Sequence, residues 1–369
     1  MIISSHFWQG KKVFITGHTG FKGSWLSLWL QILGAEVMGY SLPAPTEPSL
    51  YELAAVGKGM ISVVGDVRDL DHLSQVVREF QPEIVFHLAA QPLVRYSYEN
   101  PVATYGVNIM GTVHLLEAVR QVKTVRSLVN ITSDKCYENR EWVWGYREQE
   151  PMGGYDPYSS SKGCAELITA AYRNSFFPPD SSTAIATARA GNVIGGGDWS
   201  QDRLIPDILR SINQKQTIVI RNPQAIRPWQ HVLDPLAGYL LLAEKLYAGE
   251  GDFRSGWNFG GSDRDTQPVA WIVDKILELW GEAGVSWECD RLRYGCRNQL
   301  PQPHEANYLK LDCSKAKAHL GWEPQLDLTT ALAWVVEWTK AWAIGANMGD
   351  FTKQQILEYG NKLNIFRLS

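Results

Sequence analysis

Short apolar runs alternate with amphipathic stretches through the first half of the chain. Strands are predicted where the apolar runs are continuous, at 12–16, 36–40, 61–64, 83–88 and 127–132. Apolar residues recur at helical spacing between them, at 25–32, 70–80 and 108–122. This order of strands and helices predicts an α/β fold, with a Rossmann-type, doubly wound parallel sheet covered by helices on both faces.

The alternation of strands and helices becomes irregular after residue 190. A run of three glycines, Gly195 to Gly197, indicates an irregular loop, and further amphipathic helices are predicted at 235–249, 269–280 and 328–343. We therefore expect residues 1–190 to form a nucleotide-binding Rossmann domain that also receives segments near 230–260. Residues 191–369 are expected to form mainly a smaller, mixed α/β domain that binds substrate.

Composition excludes several classes of function. The formal net charge of -4 leaves no basic surface for nucleic acid. The sequence has neither an apolar run of membrane-spanning length nor a charged, apolar leader, so we expect a cytoplasmic protein with no membrane partner. The five cysteines are widely spaced and form no CxxC pair, which predicts free thiols and no metal site.

A glycine-rich loop joins the first predicted strand to the first long helix. Gly17, Gly20 and Gly23 have GxxGxxG spacing, which in this context is typical of a dinucleotide site, although a plain βα turn is the alternative. The first glycine permits a tight turn, the second a close approach to a pyrophosphate, and the third close packing of helix on strand. The predicted cofactor-binding residues are Gly17, Thr19, Gly20, Phe21, Lys22, Gly23, Asp66, Val67, Leu88, Ala89, Ala90, Tyr158 and Lys162.

The residues after the second strand bear on the choice of cofactor. Tyr40, Ser41 and Leu42 stand where an acidic residue commonly binds the ribose 2′-hydroxyl, and no arginine is present for a 2′-phosphate. The sequence therefore predicts NAD, held with modest affinity. Asp66 can accept a hydrogen bond from the adenine amino group, or it can cap the helix that begins near Leu70; both are compatible.

Tyr158 and Lys162 are four residues apart in a predicted helix, so their side chains share one face. A neighbouring ammonium lowers the pKa of a phenol from its usual value of about 10, and would make Tyr158 a base near neutral pH. A surface pair is the alternative. His87 is expected to be a packed core histidine, and Asn108 to be either an ordinary polar contact or a residue that positions Lys162 through water.

The glycine loop, Asp66-Val67, Ser133, Tyr158 and Lys162 together resemble the extended short-chain dehydrogenase/reductase family. Segments 189–195 and 227–232 are similar to its sugar-nucleotide branch, so the resemblance covers nearly the whole chain. Within that branch, segments 17–25, 45–50 and 133–137 resemble the CDP-glucose dehydratases. The resemblance implies NAD as cofactor and CDP-D-glucose as substrate. It also implies CDP-4-keto-6-deoxy-D-glucose as product and a place in making the deoxysugars of lipopolysaccharide O-antigen.

The same resemblance implies a role for each catalytic candidate. Tyr158, with Lys162 beside it, takes the proton from the sugar O4, and Ser133 steadies the developing ketone. Asp134 protonates the departing 6-hydroxyl. Lys135 or a neighbouring base removes the C5 proton. Lys135 can do so only if it is neutral, and if it is charged it can stabilise an enolate instead. Related dehydratases carry Asp-Glu here, so Lys135 departs from the wider pattern, and a simple loop ion pair with Asp134 is the alternative.

For the substrate, the resemblance implies that Asn192 and Arg227 hold the diphosphate. Arg203 is a further candidate, because a guanidinium binds phosphate oxygens in two places. His304 matches a histidine of a Pro-Gly-His-Asp motif in the branch, although this chain lacks that glycine.

Two other readings of the function remain open, and the resemblance also bears on assembly. The chain can be a sugar-nucleotide 4-epimerase or a dehydratase for another base, or a non-catalytic NAD-sensing regulator. The helices predicted at 108–122 and 158–174 are expected to pair two copies into a homodimer, which can stack into a tetramer.

Overall fold

Seven parallel strands form the main sheet of this computed structural model, which describes residues 3–249, 252–281, 284–290 and 309–365. The strands of the chain are β1 (Lys12–Thr16), β2 (Glu36–Ser41), β3 (Ile61–Val64), β4 (Ile84–His87), β5 (Ser127–Ile131), β6 (Ala184–Ala190), β7 (Asn192–Ile194), β8 (Ile218–Ile220), β9 (Ile226–His231), β10 (Gly256–Phe259), β11 (Thr266–Pro268) and β12 (Trp287–Cys289). The main sheet has the order β10-β6-β5-β4-β1-β2-β3. The predicted α/β fold with a doubly wound parallel sheet is confirmed.

The central strands are continuous apolar runs because both faces of the sheet are covered. All five residues of β5 are buried, as are four of the five residues of β1. Ile15 of β1 pairs with Gly39 of β2 on one side and Phe86 of β4 on the other. The chain reverses its direction of winding between β1 and β4, and ligands of such sheets bind outside the carboxyl ends of the strands at that point.

The helices cover both faces of the sheet and extend beyond it. They are α1 (Ser5–Trp8), α2 (Phe21–Ile32), α3 (Leu50–Leu53), α4 (Leu70–Phe80), α5 (Val94–Glu99), α6 (Pro101–Tyr105), α7 (Gly111–Arg120), α8 (Pro157–Phe176), α9 (Leu204–Asn213), α10 (Leu233–Ala248), α11 (Val269–Trp280), α12 (Leu328–Ala343) and α13 (Met348–Lys362). Within the described ranges, no helix is long and apolar enough to cross a membrane.

The prediction of a single α-helix over residues 108–122 is wrong for its first turn. Residues Gly106–Met110 form a π-helical turn, and α7 follows it. The side chain of Asn108 projects from this wider turn and binds both backbone groups of Gln91 and the hydroxyl of Ser161. Apolar periodicity does not reveal such a turn, because it changes the backbone pairing and leaves the apolar residues in place.

Three apolar clusters hold the layers together. One packs α2, α10 and α13 against one face of the main sheet, and a second packs α4 and α7 against the other. A third lies beyond residue 190 and joins α9, α11 and α12 to the small sheets β11-β9-β7 and β12-β8. Strand β10 returns to the main sheet beside β6. The domain boundaries themselves stay a prediction.

Four cysteines within the described ranges are free: Cys136, Cys164, Cys289 and Cys313. Over the same ranges, no group of three or more His, Cys, Asp or Glu side chains could hold a metal ion. Cys296 lies outside the residues that the structure describes.

Candidate active site

A cavity of about 1520 Å³ opens at the carboxyl ends of the main sheet and runs out between α9, α12 and β9. Every predicted site residue in the described ranges lines it. His304 lies outside the described residues. The predicted cofactor, catalytic and diphosphate groups therefore share one continuous space.

The glycine loop lines the part of this cavity next to the carboxyl end of β1. Gly17 has a φ of 78°, and a Cβ there would lie 2.7 Å from the backbone nitrogen of Ala89. A Cβ on Gly23 would lie 2.1 Å from the carbonyl oxygen of Gly17, so neither position accepts a side chain. Gly20 is the N-cap of α2, and no side chain caps that first turn. The loop thus offers backbone N–H groups and a positive helix end to an anion, which fits a dinucleotide pyrophosphate.

Asp66 follows β3 at the rim of the cavity. Its carboxylate accepts hydrogen bonds from the guanidinium of Arg68, which with the Arg68 backbone holds its pKa below the usual range. The alternative that Asp66 caps α4 is wrong, because Asp69 stands at that position and accepts from the backbone of His72 at 3.0 Å. Asp66 is therefore oriented by its neighbour and faces the cavity rim.

Two further candidates have structural partners. Thr19 hydrogen-bonds the hydroxyl of Ser41 at 2.8 Å and the carbonyl of Leu42 at 2.9 Å, so it fixes the glycine loop to the end of β2. His87 is buried, as expected, and its Nδ1 lies 2.6 Å from the hydroxyl of Thr16. Burial lowers the pKa of His87 to about 3, so it is a neutral core residue.

Ser133 follows β5 and lies between the hydroxyl of Tyr158 and the carboxyl group of Asp134. Its hydroxyl donates to Oδ1 of Asp134 at 2.8 Å and shares a hydrogen bond with the hydroxyl of Tyr158. The backbone N–H of Lys135 donates to the same Ser133 oxygen at 3.2 Å. Ser133, Asp134 and Tyr158 are each no more than 7% exposed, so the three groups meet away from bulk water.

Burial also changes the acidity of the Asp134 carboxyl group. It raises the pKa of Asp134 above its usual value, although Lys135 and the Ser133 hydroxyl act in the opposite sense. A carboxyl with a raised pKa retains a proton more readily and can donate it.

Tyr158 lies in the first turn of α8, where Asp156 caps the helix and Pro157 begins it. The prediction that Lys162 lowers its pKa is wrong: burial raises the pKa of Tyr158 to about 12, and the main opposing influence is the Ser133 hydrogen bond. The ammonium of Lys162 points instead to the carbonyl of Ile131, at 3.4 Å. Burial also lowers the pKa of Lys162, to about 8.

A buried ion pair behind these residues was not predicted from the sequence. Glu166 lies one turn beyond Lys162 on α8, and its carboxylate is 2.7 Å from the guanidinium of Arg189 on β6. Thr132 and Thr187 also donate to this carboxylate. The i, i+4, i+8 spacing of Tyr158, Lys162 and Glu166 places all three on one helix face. This spacing was the feature of the sequence that could have identified Glu166.

Further cations line the cavity beside the catalytic group. Arg203 pairs with the buried Asp198 at 3.0 Å, and Lys22 projects from the first turn of α2 into the same region. Burial, together with the nearby Arg203 and Lys162, lowers the pKa of Lys22 to about 7. Arg227 lies on β9, and Asn192 begins β7. This arrangement suits a diphosphate, which needs several donors around its oxygens.

Comparison with known proteins places the chain among sugar-nucleotide enzymes. The sequence profile of the family described as GDP-mannose 4,6 dehydratase matches residues 14–334. The CDP-glucose 4,6-dehydratase of Salmonella typhimurium (strain LT2) is 58% identical over 362 residues, which cover 97% of this chain and 98% of the relative. The dTDP-glucose 4,6-dehydratase of Haemophilus influenzae is 26% identical, over 88% of this chain and 97% of the relative.

Solved structures share the fold. The dTDP-glucose 4,6-dehydratase of Bacillus anthracis, in complex with NAD, superposes with a TM-score of 0.72 at 21% identity, covering 90% of this chain and 97% of that one. The UDP-glucose 4-epimerase of Thermotoga maritima, with UDP-glucose, has a TM-score of 0.74 at 22% identity, covering 89% and 98%. At these identities the likeness shows the fold alone.

Proposed function

The chain belongs to the GDP-mannose 4,6 dehydratase family, within the extended short-chain dehydrogenases/reductases, and from that membership we propose its reaction. It dehydrates CDP-D-glucose to CDP-4-keto-6-deoxy-D-glucose with bound NAD, in the synthesis of deoxysugars for lipopolysaccharide O-antigen. The observation that carries the reaction type is Asp134, a buried acid hydrogen-bonded to Ser133 beside Tyr158. The choice of cytidine follows the 58% identical relative.

The glycine loop and its surroundings hold the cofactor. Gly17, Gly20 and Gly23 leave room for the pyrophosphate against the first turn of α2, and Asp66 with Val67 faces the adenosine part. When bound, NAD supplies the hydride acceptor for C4 of the sugar and the hydride donor for C6. Leu88, Ala89 and Ala90 form the wall after β4, where the small side chains of Ala89 and Ala90 permit a close approach of the cofactor.

The catalytic residues act on protons at the sugar. Tyr158 and Ser133 hydrogen-bond O4, and Tyr158 takes the O4 proton as the ketone forms. The 4-keto group then acidifies the C5 proton. Asp134 donates its proton to the leaving 6-hydroxyl, consistent with the raised pKa of its buried carboxyl. Lys162, one turn further along the same face of α8, fixes the ribose of the cofactor.

Lys135 is the remaining catalytic candidate. It follows Asp134 in a short 3-10 turn, lines the same cavity and is partly exposed to it. An amine in this place either removes the C5 proton or, when charged, stabilises the enolate that this removal creates. Both roles require that it face C5, and both distinguish a dehydratase from an epimerase, which needs only the Ser, Tyr and Lys set.

The diphosphate of the substrate lies among the cations beyond the catalytic group. Arg203 and Arg227 supply guanidinium forks, and Asn192 supplies an amide at the start of β7. His304 is kept as a further substrate-binding candidate on the family resemblance alone.

We also propose that the enzyme is a cytoplasmic homodimer or tetramer. The surfaces of α6, α8 and the π-helical turn carry exposed apolar side chains, among them Val102, Met110 and Leu167. Apolar residues grouped on neighbouring helices are typical of an interface between two copies.

The reaction is tested by incubating the protein with NAD and, separately, the CDP, UDP, GDP and dTDP derivatives of D-glucose. We expect CDP-D-glucose to lose one water molecule by mass spectrometry and to give the 4-keto absorbance. Conservation of mass with a changed sugar would make the chain an epimerase. Turnover of another nucleotide in preference to CDP would refute the assigned base.

A further inference from the structure

Three side chains in the catalytic centre form one line of hydrogen bonds. The hydroxyl of Tyr158 is bonded to the hydroxyl of Ser133, and Ser133 is bonded to Oδ1 of Asp134 at 2.8 Å. A serine hydroxyl donates one hydrogen bond and accepts others, so it can receive a proton from one neighbour while passing its own to the next. The line therefore joins the residue at O4 to the residue at O6.

We propose that Ser133 relays a proton from Tyr158 to Asp134 while C4 is oxidised, so that the oxidation of C4 supplies the proton that Asp134 later gives to the leaving 6-hydroxyl. The proposal rests on the dehydratase function above and adds to it the origin of the proton on Asp134.

The transfers from O4 to Asp134 balance without a further acid or base. As the C4 hydride departs to the cofactor, the O4 proton passes to Tyr158, the Tyr158 proton to Ser133, and the Ser133 proton to the Asp134 carboxylate. The C4–O4 double bond forms. In the elimination, Asp134 returns its proton to O6 as the C6–O6 bond breaks and the C5 proton leaves to the base. The hydride then returns to C6 and a proton to C5, and the water released contains O6, the hydrogen already on O6 and the proton donated by Asp134.

The relay explains how a neutral tyrosine can act as the base. Burial raises the pKa of Tyr158 to about 12, so the phenol is protonated at neutral pH. A preformed phenolate is therefore scarce. In the relay Tyr158 gains one proton as it loses another, and the net acceptor is the carboxylate of Asp134, which burial makes a better proton acceptor by raising its pKa.

The surroundings keep the line fixed and dry. The Lys135 backbone N–H holds the Ser133 oxygen in place, and the other oxygen of Asp134 lies beside Gly191, where a Cβ would approach it to 3.0 Å. Ser133 and Tyr158 are each 7% exposed and Asp134 is 5% exposed. Low exposure favours transfer along the line over exchange with bulk water.

The test isolates the oxidation with CDP-6-deoxy-D-glucose, which has no 6-hydroxyl to lose and so needs no acid for elimination. Formation of NADH in a single turnover is followed by absorbance in NAD-loaded protein. The relay predicts that Asp134→Asn and Ser133→Ala each slow this step about a hundredfold. The matched control Ser133→Thr, which keeps the hydroxyl, should stay near the wild-type rate. The rate in mixtures of light and heavy water should depend on the deuterium fraction with curvature in the wild type and linearly in Ser133→Ala.

A second readout needs neither cofactor nor substrate. The infrared band of the Asp134 carboxyl, identified by its loss in Asp134→Asn, should shift in Ser133→Ala and keep its position in Ser133→Thr. Calorimetric binding of CDP by each variant shows that the fold and the nucleotide site are retained.

Three results would overturn the relay: NADH formation by Asp134→Asn at the wild-type rate, a linear isotope dependence in the wild type, or an unmoved infrared band. Any of these leaves Asp134 as an acid for elimination only. Failure of the dehydratase function is a separate result, since then the wild type itself would not remove water from CDP-D-glucose.

Discussion

The guanidinium of Arg189 lies 2.7 Å from the carboxylate of Glu166, and this pair fixes the helix that carries Tyr158 to the strand that leads to Asn192. Both side chains are buried, with 6% and 5% of their surfaces exposed. The same guanidinium contacts the hydroxyl of Tyr137, which in turn donates to Asn258 on β10. One ion pair thus links α8, β6 and β10 behind the catalytic residues.

Replacing Glu166 with alanine should destabilise the protein by about 3–5 kcal/mol, because it leaves the Arg189 charge buried without its partner. Denaturant unfolding of the two proteins measures the difference. Glu278→Ala is the matched control, since Glu278 also pairs with a cation but is 68% exposed, and its loss should change stability little. Equal effects of the two substitutions would contradict the structural role of the buried pair.

Two glycines of the loop should differ in what their replacement costs. Gly23→Ala places a Cβ 2.1 Å from the Gly17 carbonyl oxygen, so the loop must shift and both thermal stability and NAD binding should fall. Gly20→Ala meets its nearest atom at 3.4 Å, which is an ordinary contact. It should keep the melting temperature and weaken only NAD binding, because the added methyl lies where the pyrophosphate approaches. Thermal unfolding and titration with NAD separate the two effects, and a stable Gly23→Ala with full affinity would refute this packing argument.

Tyr158→Phe should lower turnover of CDP-D-glucose by about 10²–10⁴-fold, the range expected for loss of a residue that transfers a proton. The phenyl ring keeps the packing, so calorimetry should find CDP binding unchanged. Tyr155→Phe serves as the control: Tyr155 is 82% exposed three residues earlier, and its loss should leave turnover unaltered. Full activity in Tyr158→Phe would remove Tyr158 from the mechanism.

The sequence predicts those features of the site that depend on local pattern. Apolar runs and glycine spacing placed β1, the loop and α2, and the carboxyl ends of parallel strands then brought Ser133 and Tyr158 to one edge of the sheet. Each of these inferences needs only neighbouring residues and the general geometry of a doubly wound sheet.

What the sequence could not predict depends on burial and on distant partners. The spacing of Tyr158 and Lys162 suggested a depressed tyrosine pKa, but spacing does not reveal how far desolvation outweighs a nearby charge. Glu166 and Arg189 are 23 residues apart on different elements, so no local pattern joins them. The hydrogen bond from Ser133 to Asp134 depends on the 3-10 turn that follows β5.

Leu167→Glu should dissociate the proposed homodimer. Leu167 is 59% exposed on α8, and a carboxylate at an apolar interface would be buried without a partner. Light scattering after size exclusion should give the mass of two or four chains for the wild type and of one chain for the variant. Ile344, which is 84% exposed beyond the end of α12, offers a control in Ile344→Glu. A monomeric wild type would contradict the proposed assembly.

The last prediction concerns Asp234, a buried carboxyl at the start of α10. It accepts hydrogen bonds from the backbone of Gln325 and the hydroxyl of Tyr359, while its Oδ2 has no partner among the described residues. Burial raises its pKa to about 7, from an unfolded value of about 3.9. Between these values the folded protein binds more protons than the unfolded one, so the contribution of Asp234 is fully present below about pH 4 and is lost as the pH rises to about 7.

The Asp234→Asn variant should lack this loss, because an amide does not titrate and can still accept from Gln325 and Tyr359. Its stability relative to the wild type should therefore increase from pH 4 to pH 7 by at most about 4 kcal/mol and stay constant above that. Denaturant unfolding of both proteins at several pH values measures the difference. Glu244, whose pKa burial also raises to about 7, contributes equally to both and cancels. A difference that does not vary with pH would show that Asp234 is not protonated in the folded protein at neutral pH.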